Sequence, residues 1–122
     1  MNYLTIEDIL KANHRIAHLV NKTPILTSSL LNRWLGHELF FKAENFQKIG
    51  AYKARGACNT IAWLLENKII PKHIVANSSG NHAQAVAYAA SQFGIPSTIF
   101  MPAYSSKIKA QASAAYGANV VL

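Results

Sequence analysis

The sequence is poor in acidic residues, in cysteine and in long apolar stretches. Its 122 residues include five Asp and Glu against 12 Lys and Arg, and the single cysteine is Cys58. One cysteine excludes a framework of internal disulfides, so we expect a reducing compartment and a cytoplasmic location. No apolar run approaches the roughly 18 residues of a membrane-spanning helix, so we expect no membrane association. The first ten residues, MNYLTIEDIL, lack the basic region and apolar stretch of a signal peptide.

The basic residues and the glycines are both dispersed along the chain. The net charge is +7, but the basic residues are scattered from Lys11 to Lys109 without a run. This distribution indicates ordinary surface solubility, and we expect no nucleic-acid partner. The six glycines are never adjacent. Neither G-x-G-x-x-G nor G-K-[ST] occurs, which argues against a nucleotide-binding α/β module.

The apolar residues predict an α/β fold. Hydrophobic residues make up 51% of the chain, enough for a packed core. We predict helices over residues 6–19, 29–35 and 52–67, and a strand in HELFFKAE. The second half alternates between the strands KHIVANSS, PSTIFMP and ANVVL and the helices NHAQAVAYAASQF and KIKAQASAAY. Strands and helices in this order predict a parallel sheet.

Lys53 lies at the predicted start of a helix, within FFKAENFQKIGAYKARGACNTI. Partial burial beside Tyr52 and small residues would disfavour its charged form and leave a nucleophilic amine that can condense with an aldehyde. The alternative is a solvated lysine, although a cation is mildly unfavourable at a helix N-terminus. We expect Arg55 and Lys48 to be solvated or to face a phosphate.

A second motif follows the predicted strand KHIVANSS. It contains Ser78, Ser79, Gly80, Asn81 and His82. The carboxyl end of a parallel strand is where open α/β sheets bind ligands, and the amides at a helix start attract anions. The alternative is a simple helix cap, because serine and asparagine favour that position.

Both motifs resemble segments of the fold-type II pyridoxal-phosphate enzymes. FFKAENFQKIGAYKARGA resembles their lysine segment. SSGNHAQAVAYAA resembles their substrate-carboxylate loop, and GIPSTIFMP and YGANVVL resemble the segments after that loop. With TPILTSSLLN, they are most similar to the threonine/serine dehydratase (ammonia-lyase) and serine racemase branch. Ala51 departs mildly from the serine that many members carry. The resemblance implies a tryptophan-synthase-beta-like α/β fold with a parallel sheet, of which we expect this chain to be the N-terminal portion.

The resemblance implies roles for individual residues. Lys53 would form the Schiff base with pyridoxal 5'-phosphate and then act as the base at the α-carbon. Tyr52 would help to seat the cofactor, and Asn81 would hydrogen-bond its phenolic oxygen. Ser79 would face the opposite side of the α-carbon, as in the racemase pattern. The cradle for the substrate carboxylate would consist of Ser78, Ser79, Gly80, Asn81 and His82.

The implied reaction is dehydration and deamination of L-threonine or L-serine to a 2-oxo acid and ammonia. Serine racemase and a non-catalytic fragment remain as alternatives. The partner would be a small hydroxy amino acid, and the full-length enzyme is expected to be a homo-oligomer. His14 and His18 lie one helical turn apart, but no third ligand is apparent, so we expect no metal site.

The chain lacks the glycine-rich phosphate loop that the resemblance implies. In addition, the sequence ends within a predicted strand. We therefore expect a fragment that binds the cofactor weakly and turns over little substrate. Residues 1–72 would belong to the large cofactor domain, and residues 73–122 would begin the small α/β domain.

Overall fold

The computed structural model describes residues 3–122. The elements in chain order are α1 (Ile6–Ile16), β1 (Ile25–Leu26), α2 (Ser29–Leu35), β2 (Phe41–Lys42), α3 (Lys53–Glu66), β3 (Ile74–Asn77), α4 (Asn81–Gln92), β4 (Ser97–Phe100), α5 (Lys107–Ala115) and β5 (Asn119–Val121). Two short 3-10 turns, Glu44–Phe46 and Lys48–Gly50, lead into α3. Within residues 3–122, no helix is long and apolar enough to cross a bilayer.

The second half of the chain forms the predicted parallel sheet. Its strand order is β3-β4-β5, and both pairings are parallel. Ile74 pairs with Ser97, and Thr98 pairs with Asn119, so the three strands run in register through successive helical crossovers. The carboxyl end of β3 therefore opens directly into the segment 78–82.

The first half is less regular than the sequence predicts. The strand expected in HELFFKAE is only Phe41–Lys42, which pairs with β1 in antiparallel fashion. The prediction of a longer strand is wrong. The Ala43 amide still donates to the Pro24 carbonyl at 3.0 Å, but the chain turns into a 3-10 helix at the next residue, Glu44. The first helix also ends earlier than predicted, at Ile16 rather than Leu19.

Local capping signals account for three of the helix boundaries. Thr5 and Asp8 form a reciprocal capping box, with the Thr5 amide donating to Asp8 Oδ2 at 3.0 Å. The Ser28 hydroxyl caps α2 by accepting from the Leu31 amide at 3.3 Å. Gly36 ends α2 at φ 70°, a left-handed conformation that glycine adopts without strain.

Helix α4 lies at the centre of the fold. It packs against α3 on one side and against α5 and the sheet on the other. Two clusters of buried apolar residues meet along it. The first cluster is Ile16, Leu19, Cys58, Ile61, Tyr88, Ala89 and Ala90. The second is Ala83, Val86, Ala87, Ile99, Met101 and Ala118. The many alanines of α4 allow close approach on both sides, which brings the start of α3 near the start of α4.

Candidate active site

The lysine of the first motif is the first residue of α3. Ile49 and Gly50 lie shortly before Lys53 in the chain. Their φ values are 60° and 68°, and this conformation turns the chain sharply into the helix. Lys53 is exposed, and Tyr52 beside it is 62% exposed. The expectation that Lys53 is partly buried is therefore wrong for this chain, because the turn that precedes α3 lies at the surface.

In the second motif, residues 78–80 form the loop between β3 and α4, and Asn81 and His82 are the first two residues of α4. Ser78 continues the sheet, its amide donating to the Phe100 carbonyl at 3.1 Å, and its hydroxyl accepts from the Gly80 amide at 3.3 Å. The N-cap position of α4 is Gly80, and no described side chain caps this helix. The interpretation of the motif as a simple serine or asparagine cap is therefore wrong. An uncapped helix start leaves amide N–H groups for an anionic ligand.

A cavity of about 400 Å³ joins the two motifs between α3 and α4. Of the predicted site residues, Tyr52, Lys53 and His82 line it. The other lining residues are Arg55, Gly56, Ala57, Thr60, Ile61, Ile74 and Val86. Residues 78–81 do not line this cavity but immediately precede His82 in the chain. The volume is within the range of small-molecule sites, about 300–1,000 Å³.

The sequence analysis missed a basic residue beside the loop. Lys109, on α5, places its Nζ 3.9 Å from the position that a β-carbon on Gly80 would occupy. A positive charge there adds to the anion preference of the α4 amides. No sequence signal pointed to Lys109, because it reaches the loop only through the packing of α5 against α4.

A partly buried ion pair lies behind the start of α3. Arg55 Nε and Nη2 donate to Glu44 Oε2 and Oε1 at 2.9 and 2.8 Å. The Arg55 guanidinium lowers the pKa of the Glu44 carboxyl from 4.5 to about 2. The expectation that Arg55 is solvated or faces a phosphate is therefore wrong. A signal was present in the sequence: a cation in the first turn of a helix is unfavourable unless it has a partner.

The residues that line the cavity suit the aldehyde and the aromatic ring of a cofactor, but not its phosphate. Lys53 supplies an amine, and Ala57, Ile61, Ile74 and Val86 supply apolar walls for an aromatic ring. The uncapped start of α4 supplies donors for a carboxylate. The six dispersed glycines offer no cradle for a phosphate. The chain therefore fits the aldehyde and the ring, and a carboxylate beside them.

Comparison with known proteins decides the family. Residues 16–122 match the family model described as pyridoxal-phosphate dependent enzyme. The chain belongs to this family. It is 48% identical to the L-threo-3-hydroxyaspartate ammonia-lyase of Saccharomyces cerevisiae and 45% identical to the serine racemase of Schizosaccharomyces pombe. These alignments cover 96% and 97% of the chain. The resemblance drawn from the two motifs is thereby confirmed.

The solved structures extend this agreement to the fold of the pyridoxal-phosphate family. The crystal structure of a threonine deaminase from T.th. superposes with a TM-score of 0.81 at 46% identity, covering 97% of this chain and 36% of that one. The predicted fold-type II α/β architecture is therefore confirmed. The chain spans 36% of the length of both curated relatives named above.

Proposed function

We propose that this pyridoxal-phosphate-dependent protein belongs to an ammonia-lyase that converts L-threonine or L-serine to a 2-oxo acid and ammonia. The observation that carries the proposal is the cavity lined by both Lys53 and His82. The cavity supports the proposal because the Lys53 amine could bind an aldehyde there, and His82 follows directly on the segment 78–81, which could bind a carboxylate. The names of the relatives, a hydroxyaspartate ammonia-lyase and a threonine deaminase, favour elimination from a 3-hydroxy amino acid.

The proposed roles are those that the resemblance to the family implies, and the chemistry of each group is compatible with its role. When bound, the cofactor supplies an electron sink for the negative charge at the α-carbon. The Lys53 amine accepts the α-proton. Tyr52 would help to seat the ring, and Asn81 would hydrogen-bond its phenolic oxygen. Ser78, Ser79, Gly80, Asn81 and His82 hold the substrate carboxylate.

The atoms balance as a β-elimination followed by hydrolysis. The α-carbon loses its proton to Lys53, and the β-hydroxyl leaves as water after taking up a proton. The resulting enamine takes up water and releases ammonia. Threonine thus gives 2-oxobutanoate, and serine gives pyruvate. Neither step consumes an oxidant or a reductant.

Serine racemase is the second candidate. The exposed Ser79 supplies a hydroxyl on the loop, and the Schizosaccharomyces pombe relative is a serine racemase. Incubation of the full-length enzyme with pyridoxal phosphate and L-serine discriminates the two: pyruvate favours elimination, and D-serine favours racemisation.

We further propose that residues 1–72 belong to the large cofactor domain and residues 73–122 to the start of the small one. The cytoplasmic location and a homo-oligomeric full-length enzyme are part of the same proposal. Because the phosphate anchor is expected elsewhere, these 122 residues should bind the cofactor weakly and turn over little substrate. Dehydratase activity of the purified chain comparable to that of its relatives would overturn this expectation.

The test locates the reactive lysine. Nine of the 12 basic residues are lysines, so a nonspecific aldehyde has many targets. The chain is incubated with pyridoxal phosphate, reduced with borohydride and mapped by mass spectrometry. We expect the label mainly on Lys53, with a new absorbance band of the bound cofactor before reduction. Lys53→Ala should abolish the band, whereas Lys48→Ala, on the same exposed turn, should leave it. Labels spread evenly over the lysines would contradict the proposal.

A further inference from the structure

The start of α3 lacks the features that usually stabilise a helix N-terminus. Tyr52, at the N-cap, provides no side-chain cap, and the first turn contains no acidic residue. Instead the turn carries Lys53 and Arg55 at the positive end of the helix dipole. Ile49, a β-branched residue, has a left-handed φ of 60°, which is strained. Other contacts must therefore hold this turn in place.

The first of these contacts is the forked ion pair between Arg55 and Glu44. The Arg55 and Glu44 side chains are only 28% and 20% exposed. The Thr23 hydroxyl also donates to Glu44 Oε1, and Arg55 Nη2 donates to the Asn21 carbonyl at 3.2 Å. A planar guanidinium with two bonds to one carboxylate fixes both distance and direction, so it restrains the helical turn from which it projects.

A second set of contacts ties the same segment to Asn21. Gln47 is buried, and its Nε2 donates to the Asn21 carbonyl at 2.8 Å. Its Oε1 accepts from the amides of Asn21 and Lys48 at 2.8 and 2.9 Å. The strained turn thus lies between two anchors on the segment 21–23, with Gln47 before it and Arg55 after it.

We propose that the Glu44–Arg55 ion pair is a positioning device for Lys53: it locks the first turn of α3 so that the amine is presented to the cavity shared with His82. This inference rests on the proposed function for the role of that amine. Arg55 follows Lys53 within one helical turn, so a rotation that frees Arg55 from Glu44 also redirects Lys53. Glu44 and Arg55 act through Lys53 and have no chemical role of their own.

Helix α3 offers a matched control at its other end. Arg15 Nε donates to Glu66 Oε2 at 2.6 Å, and Arg15 Nη1 donates to Asn59 Oδ1 at 2.7 Å. This pair also tethers α3 to the N-terminal part of the chain. It lies several helical turns from Lys53, so Glu66→Gln removes an ion pair from α3 without touching the first turn.

The experiment compares the site of labelling in Glu44→Gln and Glu66→Gln. Each variant is treated with pyridoxal phosphate and borohydride, and the ratio of label on Lys53 to label on Lys48 is measured. We expect Glu44→Gln to lower this ratio at least about tenfold, as the loss of charge-assisted bonds implies. Glu66→Gln should leave it unchanged. Circular dichroism checks that both variants fold. If Glu44→Gln does not fold, Arg55→Lys, which keeps the charge but loses the fork, takes its place with the same expected direction.

The outcomes separate this inference from the proposed function. Wild-type protein without preference for Lys53 contradicts the function. The positioning role is then judged by hydrogen–deuterium exchange of residues 50–55, which should be faster in Glu44→Gln and unchanged in Glu66→Gln. Selective labelling that survives Glu44→Gln, or is lost equally in Glu66→Gln, would overturn the inference. So would unchanged exchange in Glu44→Gln.

Discussion

The ion pair behind the candidate lysine should make the stability of this protein depend on pH. Glu44→Gln removes the charge while keeping the side-chain shape. Folding lowers the pKa of Glu44 from 4.5 to about 2, mainly because its carboxylate accepts hydrogen bonds from the Arg55 guanidinium. Burial acts in the opposite direction and raises the pKa, whereas the hydrogen bond from Thr23 lowers it further. One factor of ten in proton affinity corresponds to about 1.4 kcal/mol, so the pair stabilises the folded state by up to about 3 kcal/mol. Solvent at the partly exposed side chains reduces this to about 1–2 kcal/mol.

The sign of the effect follows from the lowered pKa. The stabilisation is complete above the ordinary pKa of 4.5 and is lost as the pH falls towards 2. Urea unfolding of the wild type and of Glu44→Gln measures the difference in free energy of unfolding. We expect about half of the difference seen at about pH 7 to be gone at about pH 3. Glu66→Gln, in a pair whose carboxylate is 53% exposed, should cost less than about 1 kcal/mol. An equal difference for Glu44→Gln at both pH values would refute the reasoning.

Two further predictions concern the loop and the core. Gly80→Ala should change the free energy of unfolding by less than about 0.5 kcal/mol, because the added β-carbon meets only Lys109 Nζ at 3.9 Å and the backbone φ of −135° is ordinary. It should nevertheless weaken L-serine binding in the presence of pyridoxal phosphate, measured by titration, and unchanged affinity would argue against a carboxylate at this loop. Ile99→Ala should cost about 2–5 kcal/mol in urea unfolding, because Ile99 is fully buried. Ile108→Ala, at a residue 76% exposed, is the control, and equal losses would contradict the assignment of the core.

Local sequence signals were sufficient for the order of helices α1 to α5 and of strands β3 to β5. The alanine-rich run of α4 ends near Gly94, and α5 ends before Gly117, and both glycines have positive φ. The Thr5–Asp8 capping box starts α1 where it was expected. These features were predictable because caps, stops and periodicity depend on residues a few positions apart. The strand in HELFFKAE was overpredicted, since its end depends on contacts of Glu44 with distant Thr23 and Arg55.

The sequence by itself determined the family, the parallel α/β order and the two motifs. Only the tertiary structure decided that Lys53 and His82 line one cavity, that Lys109 lies beside Gly80, and that Arg55 is paired rather than solvated. It also decided that Lys53 is exposed in this chain. The physical reason is that these residues are far apart in the sequence and meet only where α3 and α5 pack against α4. This packing depends on how the side chains of all three helices fit together, which no local sequence pattern specifies.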